Sequence, residues 1–106
     1  MFSNLAEMIK QFQTMKENME KAKEELKKEK IVVEVGGGMV KITTNGVGEI
    51  IDIDIDKSIL NDYELLRELL ISGINEAIER SRDTMTQKMT EAAGIPLSML
   101  KMGGLF

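Results

Sequence analysis

The chain of 106 residues has no cysteine, no histidine and no tryptophan, and a single proline. Without cysteine there is no disulfide, thiolate metal site or thiol nucleophile. Without histidine, the Ser-His-Asp and Cys-His constellations, the usual zinc sites and the commonest general base near neutral pH are gone as well. Enzymatic chemistry is therefore not expected, nor a cofactor or a small-molecule substrate. The aromatic residues are Phe2, Phe12, Tyr63 and Phe106, too few to build a platform for stacking bases. No apolar run reaches the roughly 18–20 residues of a membrane-spanning helix. Met1-Phe2-Ser3-Asn4 lacks the basic-then-apolar order of a signal peptide, so the expectation is a cytoplasmic protein without membrane association. Basic residues are outnumbered, 14 against 18 acidic for a net charge of −4. A polyanion would have to be met by a local patch.

What is present is 42% apolar and 30% charged residues, the balance of one helix-rich globular domain spanning 1–106. Leu5, Met8, Phe12, Met15, Met19, Ala22 and Leu26 recur at alternating spacings of three and four, a heptad seam widened by Ile9. The seam predicts a helix over about 4–29 with Ser3 or Asn4 as its cap. From Ile31 the period becomes two. Strands are expected at about 31–35, 39–44 and 49–55, joined by Gly36-Gly37-Gly38 and by Asn45-Gly46, a dipeptide suited to positive φ in a tight hairpin. In the third strand Ile51, Ile53 and Ile55 alternate with Asp52, Asp54 and Asp56, giving one apolar and one acidic face. Asn61, with Glu64 three residues on, reads as the cap of a second helix over about 62–92. Leu66, Leu70, Ile74, Ala77, Ile78, Met85 and Met89 line its apolar side until Gly94 and Pro96 stop it. The tail, 94–106, is rich in Leu, Met and Gly without a period and is read as flexible or docked on a partner. The fold class is α+β: long helix, three-stranded antiparallel meander, long helix.

Three features imitate chemistry. The glycine run follows a strand, as a phosphate loop would, but no Gly-Lys-Ser/Thr follows it. Asp52, Asp54 and Asp56 could offer carboxylates to a divalent cation, yet on a strand they stand about 6.5 Å apart on a flat face. A solvated face that discourages sheet aggregation is the better reading. The nine methionines fall mostly on the helix seams, where core packing explains them better than a promiscuous groove.

A first helix of this length overruns a short sheet and leaves its seam uncovered. Either the second helix covers the whole seam or a second copy does. The apolar candidate edge strand Ile31–Val35 favours a twofold homodimer with projecting helices, meeting along Leu5, Met8, Phe12, Met15 and Met19.

The run Gly36-Gly37-Gly38-Met39-Val40-Lys41-Ile42-Thr43-Thr44-Asn45-Gly46 is followed by Glu49, by Ile53-Asp54 or Ile55-Asp56, and by Ser58-Ile59-Leu60. With Ile9-Lys10-Gln11-Phe12-Gln13-Thr14-Met15, the Asn75-Glu76-Ala77 step and the Gly/Pro/Leu-rich end, it resembles the YbaB/EbfC family of bacterial nucleoid-associated proteins. The resemblance implies a small cytoplasmic homodimer with helices projecting from a sheet core like the arms of tweezers, binding double-stranded DNA in the nucleoid. It fixes no DNA-contacting position, and Leu97, Met99, Leu100 and Met102 depart from the family's usual glycine-rich end.

Charge is unevenly distributed along the chain. Residues 1–30 hold seven lysines against six glutamates, whereas 31–61 and 62–106 are both net acidic. Lys23, Lys27 and Lys30 follow at i, i+4 and i+7, with Lys16 one heptad earlier, forming a ridge whose mutual repulsion phosphates would relieve. Arg80, Arg82 and Lys88 on the second helix are the alternative contacts. The leading expectation is a nucleoid DNA-binding homodimer that holds phosphates and reads little sequence. A protein-interaction adaptor using the seam and the tail is the second, and a metal-dependent hydrolase on the three aspartates a distant third.

Overall fold

The computed structural model describes residues 2–95. The elements are α1 (Phe2–Lys28), β1 (Ile31–Val35), β2 (Val40–Thr44), β3 (Ile50–Ile55), a single 3-10 turn (Lys57–Ile59) and α2 (Tyr63–Ala93). The α+β order matches the sequence expectation. Of the tail expected from 94, residues 96–106 lie outside the described residues.

The strands form one antiparallel meander in the order β1-β2-β3. Gly36, Gly37 and Gly38 connect β1 to β2 with φ of 63°, 65° and 88°, a left-handed run that only glycine adopts readily. The second connection differs from expectation. Asn45 and Gly46 do not carry positive φ; the left-handed residue is Gly48, with φ 83°. β3 also departs from simple alternation. Thr44 pairs with Ile50 while Thr43 pairs with Asp52, so Ile51 is the extra residue of a bulge and Ile50 shares the face of Ile53 and Ile55.

α2 lies across β1 and β2. Val33, Val40, Ile42, Ile59 and Ala77 form the buried core, with Leu65, Leu66, Leu69, Leu70 and Ile74 packed against it. Gly73 permits the close approach, because a Cβ there would stand 2.7 Å from Cδ1 of Ile42. A guanidinium nitrogen of Arg80 donates to the carbonyl of Val32 at 3.5 Å, and Leu69 sits against Gly36, so this flank of α2 faces β1. The opposite flank, carrying Ile71, Ile74 and Ile78 at helical spacing, lies toward β3. There the sheet is hardly covered: Ile50, Ile51 and Ile53 are 39%, 53% and 38% exposed.

Two helix starts differ from the sequence reading. α1 begins by Phe2, so Ser3 and Asn4 lie inside it. The cap of α2 is Asp62, whose carboxylate accepts from the backbone N–H of Leu65 at 3.2 Å; Asn61 lies one residue too early. Asp62 occupies the cap, and Glu64 falls in the first turn, where the helix dipole favours a negative charge.

Both long helices leave the sheet side by side. α1, about 40 Å long at 1.5 Å per residue, is anchored at its C-terminal end. The N–H of Gly46 donates to the carbonyl of Leu26 at 2.8 Å, the side-chain amide of Asn45 donates to the carbonyl of Lys27 at 3.3 Å, and the hydroxyl of Ser81 donates to the carbonyl of Asn45 at 2.7 Å. Asn45 is buried and fully used, its side-chain oxygen accepting from the N–H groups of Val47 and Glu49. The Asn-Gly pair thus joins α1, the β2–β3 turn and α2.

Candidate nucleic-acid interface

The two helices form an arm whose seam is only half covered. Ala22 and Leu26 are buried and Met15 and Met19 half-buried where α1 runs beside α2, while Leu5, Met8, Ile9 and Phe12 are 53–64% exposed. Within the chain the seam is covered only in part. α2 covers the half next to the sheet, and the distal half is left open.

The arm has two charged flanks. On one, the ammonium of Lys88 and the carboxylate of Glu25 meet at 2.7 Å across α1 and α2. The hydrogen bond and charge of Lys88 hold Glu25 below the usual carboxylate range, and Glu25 in turn raises Lys88. Glu25's contribution to stability is lost as pH falls through its lowered pKa, and Lys88's is lost as pH rises through its raised one. Lys88→Gln is expected to flatten the acid limb of the melting temperature against pH slightly, the pair being solvent-exposed; thermal scans in and below the ordinary carboxylate range check it.

On the other flank, Lys16 and Lys23 line one shallow depression with Phe12, Met15, Met19, Glu20 and Met89. Lys27 follows Lys23 one turn on, and Arg82 precedes Met89 by two turns of α2, which places both on this flank. Lys16, Lys23, Lys30 and Arg82 have no carboxylate within 4.0 Å among the described residues, and Lys27 has only an exposed contact with Glu24 at 3.7 Å. The remaining candidates are engaged elsewhere: Lys88 with Glu25, and Arg80 with Glu76 at 2.9 Å. Lys30 lies beyond the end of α1, in the link to β1. The structure therefore splits the seven sequence candidates. It brings Lys16, Lys23, Lys27 and Arg82 onto one flank and separates Arg80 and Lys88 from it, and on α2 the same face continues at helical spacing from Arg82 into the exposed Ile78 and Ile71.

The three aspartates do not act together. Asp52 and Asp54 stand on the solvent face of β3 opposite Thr43 and Lys41. Asp56 has left the strand and caps the 3-10 turn, accepting from the N–H of Ser58 at 2.9 Å, a bond that lowers its pKa. Changing Asp52 and Asp54 to Asn should alter stability by less than about 1 kcal/mol, as for other exposed positions. Asp56→Asn should also cost little, because an asparagine side chain can keep the cap. Denaturant melts of the three variants check this, and added Mg²⁺ should not move the wild-type curve.

A meander with one helix packed on it thus carries a two-helix arm with three lysines and an arginine along one flank. The sequence matches the YbaB/EbfC DNA-binding family over residues 1–95, and the chain belongs to that family. It is 57% identical over 107 aligned positions to a nucleoid-associated protein of Sulfurihydrogenibium sp. (strain YO3AOP1), covering 99% of this chain and 97% of the relative. It is 55% identical over 92 positions to a nucleoid-associated protein of Persephonella marina, covering 85% and 84%. The crystal structure of an uncharacterized protein from Helicobacter pylori superposes with a TM-score of 0.70 at 30% identity, over 82% of this chain and 90% of that one. Among the described residues no helix is long and apolar enough to cross a membrane.

Proposed function

We propose that the protein is a homodimeric, nucleoid-associated DNA-binding protein that grips duplex DNA through phosphates, using Lys16, Lys23 and Lys27 of α1 and Arg82 of α2. The observation that carries this reading is the shared flank. The uncovered apolar surface of β3 and α2 (Ile50, Ile53, Ile71, Ile78) and the cations above it lie on one side of the molecule. A twofold axis through the apolar surface buries an exposed sheet edge and its neighbouring helix flank. The same axis turns the two cationic flanks toward a common cleft between projecting arms. Lys16 to Lys27 spans about 17 Å along the helix, roughly five base-pair steps of duplex.

The homodimer contact accordingly shifts. Met15 and Met19, expected in it, are half-buried beside α2 of the same chain, and Leu5, Met8 and Phe12 lie at the far end of the arm. Ile50, Ile53, Ile71 and Ile78 become the contact, and the expected edge strand β1 is flanked by α2 and Arg80. Few devices for base readout are present, so binding should depend little on sequence.

Gel-shift titration of nuclease-free protein against unrelated duplexes at several salt concentrations tests the DNA reading, with light scattering of wild type and Ile53→Asp for the dimer. Similar affinity for all duplexes, a steep loss with salt, a dimeric wild type and a dissociated Ile53→Asp are expected. No binding at 20 mM salt would favour the protein-adaptor reading, which the exposed arm tip supports. A dimer indifferent to Ile53→Asp would return the contact to the seam.

A further inference from the structure

The distal half of α1 presents Leu5, Met8, Ile9 and Phe12 to solvent, each more than half exposed, in a contiguous stripe of the kind that marks a covered surface. The two partners already described do not account for it. Phosphates offer nothing to apolar side chains, and the proposed twofold contact lies at the opposite end of the arm. We propose that the stripe is the docking site of the chain's own C-terminal segment, residues 97–106.

Three observations support this occupant. First, α2 ends at a fixed point beside the distal half of α1, the half that carries the stripe. Gly94 adopts φ 74°, and the N–H groups of Gly94 and Ile95 bond to the carbonyls of Glu91 and Thr90 at 3.1 and 3.0 Å. Gly94 lines an open wedge of about 620 Å³ with Glu7, Lys10, Gln11, Thr14, Met15 and Asn18 of α1, on the face next to the stripe. The chain therefore leaves α2 where cover of the seam stops. Second, the reach is sufficient. Leu5 to Phe12 spans about 10 Å of helix, and ten residues can extend up to about 35 Å. Third, the composition is complementary: Leu97, Met99, Leu100, Met102, Leu105 and Phe106 make six apolar residues in the last ten, with Lys101 the only charged side chain. Methionine suits such a contact because its unbranched thioether adapts to an irregular surface.

The chain contains no tryptophan and no cysteine, so introduced reporters are unique. In full-length Met8→Trp, emission should lie at shorter wavelength, and iodide quenching should be weaker, than in the same chain carrying Leu97→Ser, Met99→Ser, Leu100→Ser and Met102→Ser. The difference should not change with protein concentration. Oxidised Met8→Cys/Leu100→Cys should run as a single-chain species with an internal disulfide. Identical emission and quenching with and without the serine changes, or a disulfide formed only between chains, would overturn the proposal. The serine changes lie outside the core residues Val33, Val40, Ile42, Ile59 and Ala77, so the far-ultraviolet spectrum should be preserved. Neither readout depends on DNA, and the tail assignment can fail while the DNA-binding reading stands.

Discussion

Gly46→Ala should loosen the arm from the sheet. A Cβ at position 46 would stand 2.5 Å from Cδ2 of Leu26 and 3.0 Å from both its Cβ and its carbonyl oxygen. Leu26 is fully buried, so its side chain has nowhere to turn, and the carbonyl oxygen is the acceptor of the Gly46 N–H. The helix end itself must move. Overpacking of this kind costs typically about 1–3 kcal/mol, which in a domain of this size lowers the melting temperature by about 4–8 °C for each kcal/mol. The damage should be local first. Amide exchange should rise along α1 before it rises in α2 or the strands, because the bonds that anchor α1 to the sheet pass through Asn45 and Gly46. Gly37→Ala is the control, with φ 65° and no atom within 4 Å of its added Cβ; only the left-handed backbone penalty of about 1–2 kcal/mol applies. A Gly46→Ala protein with unchanged melting temperature and α1 protection would show that the junction does not anchor the arm.

Replacing Lys16, Lys23, Lys27 and Lys30 by Gln should weaken duplex binding without dissociating the proposed dimer. Up to eight positive charges leave the proposed dimer, all from exposed positions, and no charge enters its proposed apolar interface. If Lys16, Lys23 and Lys27 each hold one phosphate, the slope of log affinity against log salt should become shallower by about 0.9 for each phosphate no longer held. Unrelated duplexes should bind more weakly in parallel. Arg82→Gln should add to the effect because it shares the flank, whereas Arg80→Gln should leave the slope alone because Arg80 is held by Glu76 and by the carbonyl of Val32. Gel shifts from 20 to 200 mM salt would read all of this. An unchanged slope in the four-lysine variant, with binding intact, would move the interface to α2.

The elements and their order are written in the chain's local pattern. The alternation of three and four in α1, the period of two from Ile31, the left-handed glycine run and the stop at Gly94 all follow from local sterics and periodicity. The same locality explains what the pattern misled about. Asn45-Gly46 carries a hairpin signature, yet its glycine is there for close approach to Leu26 and its asparagine for bonds to Lys27 and Glu49, partners distant in sequence or hidden in a bulged turn. Asn61 and Asp62 are both good caps, and only the docked position of α2 chose between them. Which basic residues carry a carboxylate partner was likewise undecidable from spacing: Arg80 meets Glu76 on its own helix, and Lys88 meets Glu25 only because α1 and α2 lie together. The uncovered face of β3 arises because α2 lies over β1 and β2, where Gly73 lets the helix approach Ile42 and Val35 closely. A chain specifies its own periodicity, but which faces meet is settled by packing between residues far apart along it.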